Sequence, residues 1–248
     1  MSELLFNFQE MANELEAFSH IAEKFIATES RQVLTQFKGT LETYRDQATQ
    51  NRFDWKISPA NPLRTTVSPG GYEVGSKGMH HIFAEIDALW RIQRVPGKKK
   101  NDRPQFFKLV DIASTRVRLF CVAQGRKPKR EIAMWRMEAG DAQSPGCHFH
   151  TQILGERSTF PFPKSLSIPR LPGMLLTTAA VTEFVLAELF QEDWAKHVSS
   201  DSAHLQRWAP IQNKRLAKML NWELGLLNRG GSPWTTLKRN KPDESLFV

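Results

Sequence analysis

The stretch HHIFAEIDALWRIQRV occupies residues 80–95. Ile82, Ala84, Ile86, Ala88, Trp90 and Ile92 fall on one side of an extended chain. His81, Phe83, Glu85, Asp87, Leu89, Arg91 and Gln93 fall on the other. A period of two sustained over this length marks a long strand with one apolar face, whereas a helix would space its apolar residues three and four apart.

Shorter runs of the same character flank it. FDWKI (53–57) and LRTTV (63–67) come before, separated by Pro59 and Pro62. Residues 106–112, 115–123, 132–138 and 147–154 come after. The connections are short, so neighbouring strands should pair antiparallel as a meander. A tight turn at Ala113 and Ser114 would then bring two basic connections, PGKKKNDRP (96–104) and QGRKPKR (124–130), to the same end of the sheet. His80, His81, His148 and His150 would gather at the opposite end.

The first 50 residues read differently. From residue 3 onward they hold no proline and a single glycine, Gly39. Leu4, Phe8, Met11, Leu15, Phe18, Ala22 and Phe25 recur at alternating spacings of four and three, which lays one apolar stripe along a helix. The stripe breaks near Glu29 and resumes at Val33, Phe37, Leu41 and Tyr44, so a bend or new helix start is expected at Thr28, Glu29 and Ser30. So many phenylalanines suit packing on the sheet body or on another subunit better than a narrow two-stranded coil. Residues 4–44 are therefore the candidate surface for a protein partner or self-association.

Four prolines within TFPFPKSLSIPRLPG (159–173) make that segment an extended connector rather than a central strand. Residues 177–198 form a largely buried helix, and a second helix is expected to start near Pro210. Arg215, Lys218 and Trp222 share one face of it, and the tail adds Arg229, Trp234, Lys238, Arg239 and Lys241. The chain is expected to be α+β, with an N-terminal acidic helical arm (1–50) and a curved antiparallel β-meander of about five to seven strands (51–158). The proline-rich connector and two C-terminal helices (159–248) follow, and residues 51–248 form one domain.

Net charge is +8, unevenly spread. Residues 1–50 hold four basic and eight acidic side chains, a net of −4, which leaves +12 on residues 51–248. A basic body favours a polyanion, DNA or RNA. The candidate nucleic-acid contacts are Lys98, Lys99, Lys100, Arg126, Lys127, Lys129, Arg130, Arg215, Lys218 and Trp222. No apolar run reaches the ~18 residues a membrane span needs, so no membrane partner is expected. The start, MSELLFNFQE, lacks the basic opening of a signal peptide, and Cys121 and Cys147 are too few for a disulfide framework. The expected compartment is the cytoplasm.

One motif bears on catalysis. In SPGCHFHTQIL (144–154), His148 and His150 stand two apart on a strand and face one side. With His81 as third ligand and Asp141 as nearby carboxylate, they could hold a divalent metal ion that activates water. The H-x-H pattern resembles the first metal motif of cupin barrels, although its acid, Glu156, comes late and the second motif is missing. No G-x-S-x-G, phosphate-binding loop or dinucleotide glycine pattern occurs. Three functions follow: a non-catalytic nucleic-acid-contacting subunit of a larger assembly, a metal-dependent hydrolase or nuclease, and a protein-binding scaffold working through the arm. A bacterial defence assembly would accommodate so motif-poor a chain.

Overall fold

The computed structural model describes residues 4–47, 51–68, 81–97, 103–122, 130–140, 147–153, 171–200 and 203–248. The architecture is α+β. Its strands are β1 (Leu5–Asn7), β2 (Arg52–Ile57), β3 (Leu63–Arg64), β4 (His81–Arg94), β5 (Phe106–Val122), β6 (Arg130–Ala139), β7 (Phe149–Ile153) and β8 (Leu171–Pro172). They form one antiparallel sheet in the order β2-β4-β5-β6-β7-β8, with β1 added to β5 and β3 to β4. Five strands have five or more residues; β1, β3 and β8 are short additions.

The helices are α1 (Phe8–Ala22), α2 (Arg31–Gln47), α3 (Thr178–Val198), α4 (Ala203–Leu227) and α5 (Pro233–Arg239). Among the described residues, no helix is long and apolar enough to cross a membrane.

The alternation in residues 80–95 has its expected consequence. Ala84, Ile86, Trp90 and Ile92 are all at most 1% exposed. One row of this face runs across five strands through Trp55, Trp90, Ala113, Ala139 and Phe149. The two alanines leave room for what packs on them, and the aromatic residues fill it. Phe6 stacks on Phe107 at 5.6 Å and on Phe247 at 5.2 Å, and meets Trp90 edge-on at 5.5 Å.

The arm closes over this face. Every seam residue from Leu4 to Tyr44 is buried, in a core that extends to Phe247. The seam begins as strand rather than helix: Leu4 accepts a hydrogen bond from the Leu109 amide (2.9 Å), and Asn7 then caps α1 by accepting from the Glu10 amide (3.0 Å). The expected break occurs at Thr28–Ser30 as a single 3-10 turn before α2. Phe37 lies flat on Trp55 at 4.0 Å, and the Trp55 indole donates to the Phe37 carbonyl. The side chains proposed for an external partner are thus spent inside the molecule.

Two expectations are corrected. Residues 106–122 form one strand, with no reversal at Ala113 and Ser114. The irregularity there is a bulge: Trp90 pairs with Ala113 but Ile92 with Leu109, and Asp111 takes a left-handed conformation (φ 67°). Aspartate tolerates that geometry, and its carboxylate meets Arg52 at 3.3 Å and Arg91 at 3.6 Å. Removing one reversal flips the direction of every later strand. The strand ends joined by residues 96–104 and those joined by 124–130 therefore lie at opposite ends of β5. Seventeen residues separate them, on the order of 50 Å of strand.

The second correction concerns α4, which starts at Ala203 with Pro210 inside it. Proline removes one helix hydrogen bond, but buried Trp208 packs on Phe18 at 4.7 Å and holds the preceding turn in place.

Candidate functional site

Away from the helices, the sheet presents a polar face whose charges come in pairs two residues apart. Register sets them side by side. Glu85 lies opposite Arg118, Asp87 opposite Arg116, Arg116 opposite Arg136, Ser114 opposite Glu138, and Glu138 opposite His150.

Each carboxylate here is shared between bases. Glu85 bridges Arg64 (2.8 Å) and Arg118 (3.1 Å). Asp87 accepts from Arg116 (3.0 Å) and lies 3.9 Å from Arg118. Burial raises the Asp87 carboxyl, against the pull of these two arginines. Burial also pushes Glu138 upward, but His150, Arg136 and Ser114 together outweigh it and leave that carboxyl below its ordinary value.

At the β7 end the chain of contacts is Ser114, Glu138, His150. Ser114 Oγ donates to Glu138 Oε1 (3.1 Å), and His150 Nε2 lies 3.3 Å from Glu138 Oε2. His150 Nδ1 is 3.1 Å from the Cys147 carbonyl, which only accepts, so Nδ1 carries the proton. The carboxylate stands between the serine and the histidine. Ser114 therefore faces an acceptor that takes its hydrogen bond, not an imidazole that could activate it as a nucleophile.

The three histidines proposed as metal ligands do not converge. His150 shares its row with Glu138, Ser114 and Leu89, whereas His81 pairs with Val122. Eight residues of β4 separate the two rows, about 27 Å along the strand. Ligands of one ion must each lie within about 2 Å of it. The strand reversal that would have placed them at one end of the sheet does not exist, and His81 Nδ1 lies 3.4 Å from the Ser68 carbonyl. No group of three His, Cys, Asp or Glu side chains suited to a metal occurs among the described residues. Asp141 lies outside them. His148 is buried, neither ring nitrogen has a hydrogen-bond partner among the described residues, and burial, with Lys241 and His150 nearby, lowers it to about 4. Cys121 and Cys147 are buried thiols that form no disulfide.

No family model, curated protein or solved structure matches this chain.

The basic face proposed for α4 is also corrected. Arg215 is buried and ion-paired with Glu14, a carboxylate with no exposure at all, and it lies 3.3 Å from Glu10. Glu14 further accepts from Gln212 (2.9 Å) and from Thr177, the residue whose hydroxyl caps α3 by accepting from the Ala180 amide. One carboxylate thus ties α1, the start of α3, and α4 together. Lys218 donates to the Val248 main-chain oxygen, and Trp222 meets Phe149 edge-on at 5.6 Å. All three residues are occupied within the fold.

Part of the charge asymmetry has the same origin. Arm acids dock on body bases through Glu10 with Lys214, Glu29 with Arg64, and Asp46 with Arg103. Lys98, Lys99, Lys100, Arg126, Lys127 and Lys129 lie outside the described residues, as does the Arg130 side chain.

The polar face and Glu14 were missed in the sequence. A readable signal existed for the face: Glu85 and Asp87, Arg116 and Arg118, and Arg136 and Glu138 each stand two apart on strands. Glu14 carries no such signal, because it lies just off an apolar seam and looks like any surface acid.

Proposed function

We propose that the chain is a non-catalytic protein that contacts nucleic acid. The observation that carries this is where the basic excess resides. Of the +12 on residues 51–248, the connections 96–104 and 124–130 together hold eight basic residues and one acidic one, a net of +7. Charge gathered into two short connections attracts a polyanion more strongly than the same charge spread evenly.

The separation of the two connections sharpens the kind of partner. They join strand ends on the order of 50 Å apart, more than a small anion spans, while a nucleic-acid strand of about 15 nucleotides at ~3.4 Å each would span it. A long phosphate backbone suits this spacing.

The test uses full-length protein and a fluorescent oligonucleotide longer than about 15 nucleotides. Changing Lys98, Lys99 and Lys100 to glutamine should weaken binding at least ~10-fold, as should changing Arg126, Lys127, Lys129 and Arg130. Combining both sets should weaken it further than either alone. Unchanged binding in the combined variant would remove this reading.

A further inference from the structure

We propose that Trp234, with Arg229 and Lys241, forms a stacking site for single-stranded nucleic acid; this rests on the nucleic-acid reading above and names the form of polymer. Trp55, Trp90, Trp194 and Trp208 are buried, and Trp135 and Trp222 pack against the core. Trp234 is 63% exposed. A fold that seats its other tryptophans against a core has left most of this one in water, where that apolar area contributes nothing to stability.

The backbone around Trp234 requires specific residues. α4 ends at Leu227, and Gly230 (φ 79°) and Gly231 (φ 94°) reverse the chain through conformations that side-chain-bearing residues rarely adopt. Ser232 and Pro233 then start α5, with Trp234 in its first turn. The indole is thus carried on a short helix fixed by a glycine turn.

Along the chain, the charge flanking it has one sign. Residues 229–241 contain Arg229, Lys238, Arg239 and Lys241 and no acid. Arg229 and Lys241 are exposed. The next acid, Asp243, accepts hydrogen bonds from the amide and hydroxyl of Ser245. An exposed indole offers a face to any base, and flanking cations follow the phosphates. Duplex DNA hides its base faces, so the matching partner is a single strand.

The experiment titrates full-length protein with a thymidine oligomer of about 20 nucleotides and reads tryptophan emission and affinity. Heparin, a polyanion without bases, and anionic phosphatidylserine vesicles serve as comparisons. The oligomer should quench the exposed emission. Trp234→Ala should abolish that quenching and weaken oligomer binding roughly 10-fold, leave heparin binding unchanged, and Trp234→Phe should retain part of the affinity. Oligomer binding that survives Trp234→Ala unaltered would overturn this proposal while leaving the nucleic-acid reading standing. A blue shift of Trp234 on vesicles with no response to the oligomer would assign the site to a membrane surface instead. Failure to bind any polyanion would overturn both.

Discussion

Replacing Glu14 by alanine should destabilise the protein by about 3–5 kcal/mol, the usual consequence of leaving a buried charge without its partner. Arg215 would keep its charge in a site from which water is excluded, with only half-buried Glu10 beside it. Gln212 and Thr177 would each lose an acceptor as well. The loss comes from the orphaned groups more than from the ion pair itself. Changing both partners to apolar residues, Glu14→Leu with Arg215→Met, should therefore cost less than Glu14→Ala alone. Urea unfolding of the wild type and the two variants measures this. A Glu14→Ala cost below about 1 kcal/mol would show that the arm is not held to the C-terminal helices in this way.

Acid should weaken the fold through His148. Its folded value of about 4 lies below the ordinary 6.5, so the unfolded chain takes the proton first. Stability is unaffected above about pH 6.5, falls as pH drops through that value, and levels off once pH passes about 4. A difference of this size corresponds to about 3 kcal/mol across the window, at roughly 1.4 kcal/mol per unit. Other groups titrate nearby: the lowered Glu138 carboxyl adds a loss as pH falls through its folded value, and the raised Asp87 works in the opposite sense. The difference between wild type and His148→Gln, measured by unfolding at pH 7, 6, 5 and 4, isolates the histidine. It should grow in the variant's favour as pH falls. A flat difference would contradict burial of a neutral imidazole at this position.

Most of the fold could be read from the sequence because its signals were local. Alternation in residues 80–95 gave a strand with one buried face, and the seven-residue seam from Leu4 to Tyr44 gave a helical arm with every seam side chain inside. The positions of the strands were legible; the number of reversals was not. A bulge centred on Asp111 and a tight turn look alike in a window of a few residues, since both interrupt alternation and both favour small or polar side chains.

That single ambiguity decided the site. With a reversal, His81 would lie at the same end of the sheet as His148 and His150, and the two basic connections would share the other end. Without it, His81 stands about 27 Å from the His150 row along the sheet and the basic connections leave opposite strand ends. Arg215 shows a second limit. On a helical wheel it shares a basic face with Lys218, but its true partner, Glu14, is 201 residues away, and no local pattern announces so distant an ion pair. Exposure of Trp234 was likewise invisible, because a tryptophan among basic residues reads the same whether it is packed or free.

On the proposed function, the basic body engages the phosphate backbone of a nucleic acid. The most direct measurement is the affinity of wild-type protein for an oligonucleotide as monovalent salt is raised from about 50 to 200 mM. With the charges of both connections engaged, a log–log plot should fall with a slope of about −3 to −6, at ~0.7–0.9 per phosphate neutralised. A slope near zero, or no binding at the lowest salt, would contradict the account.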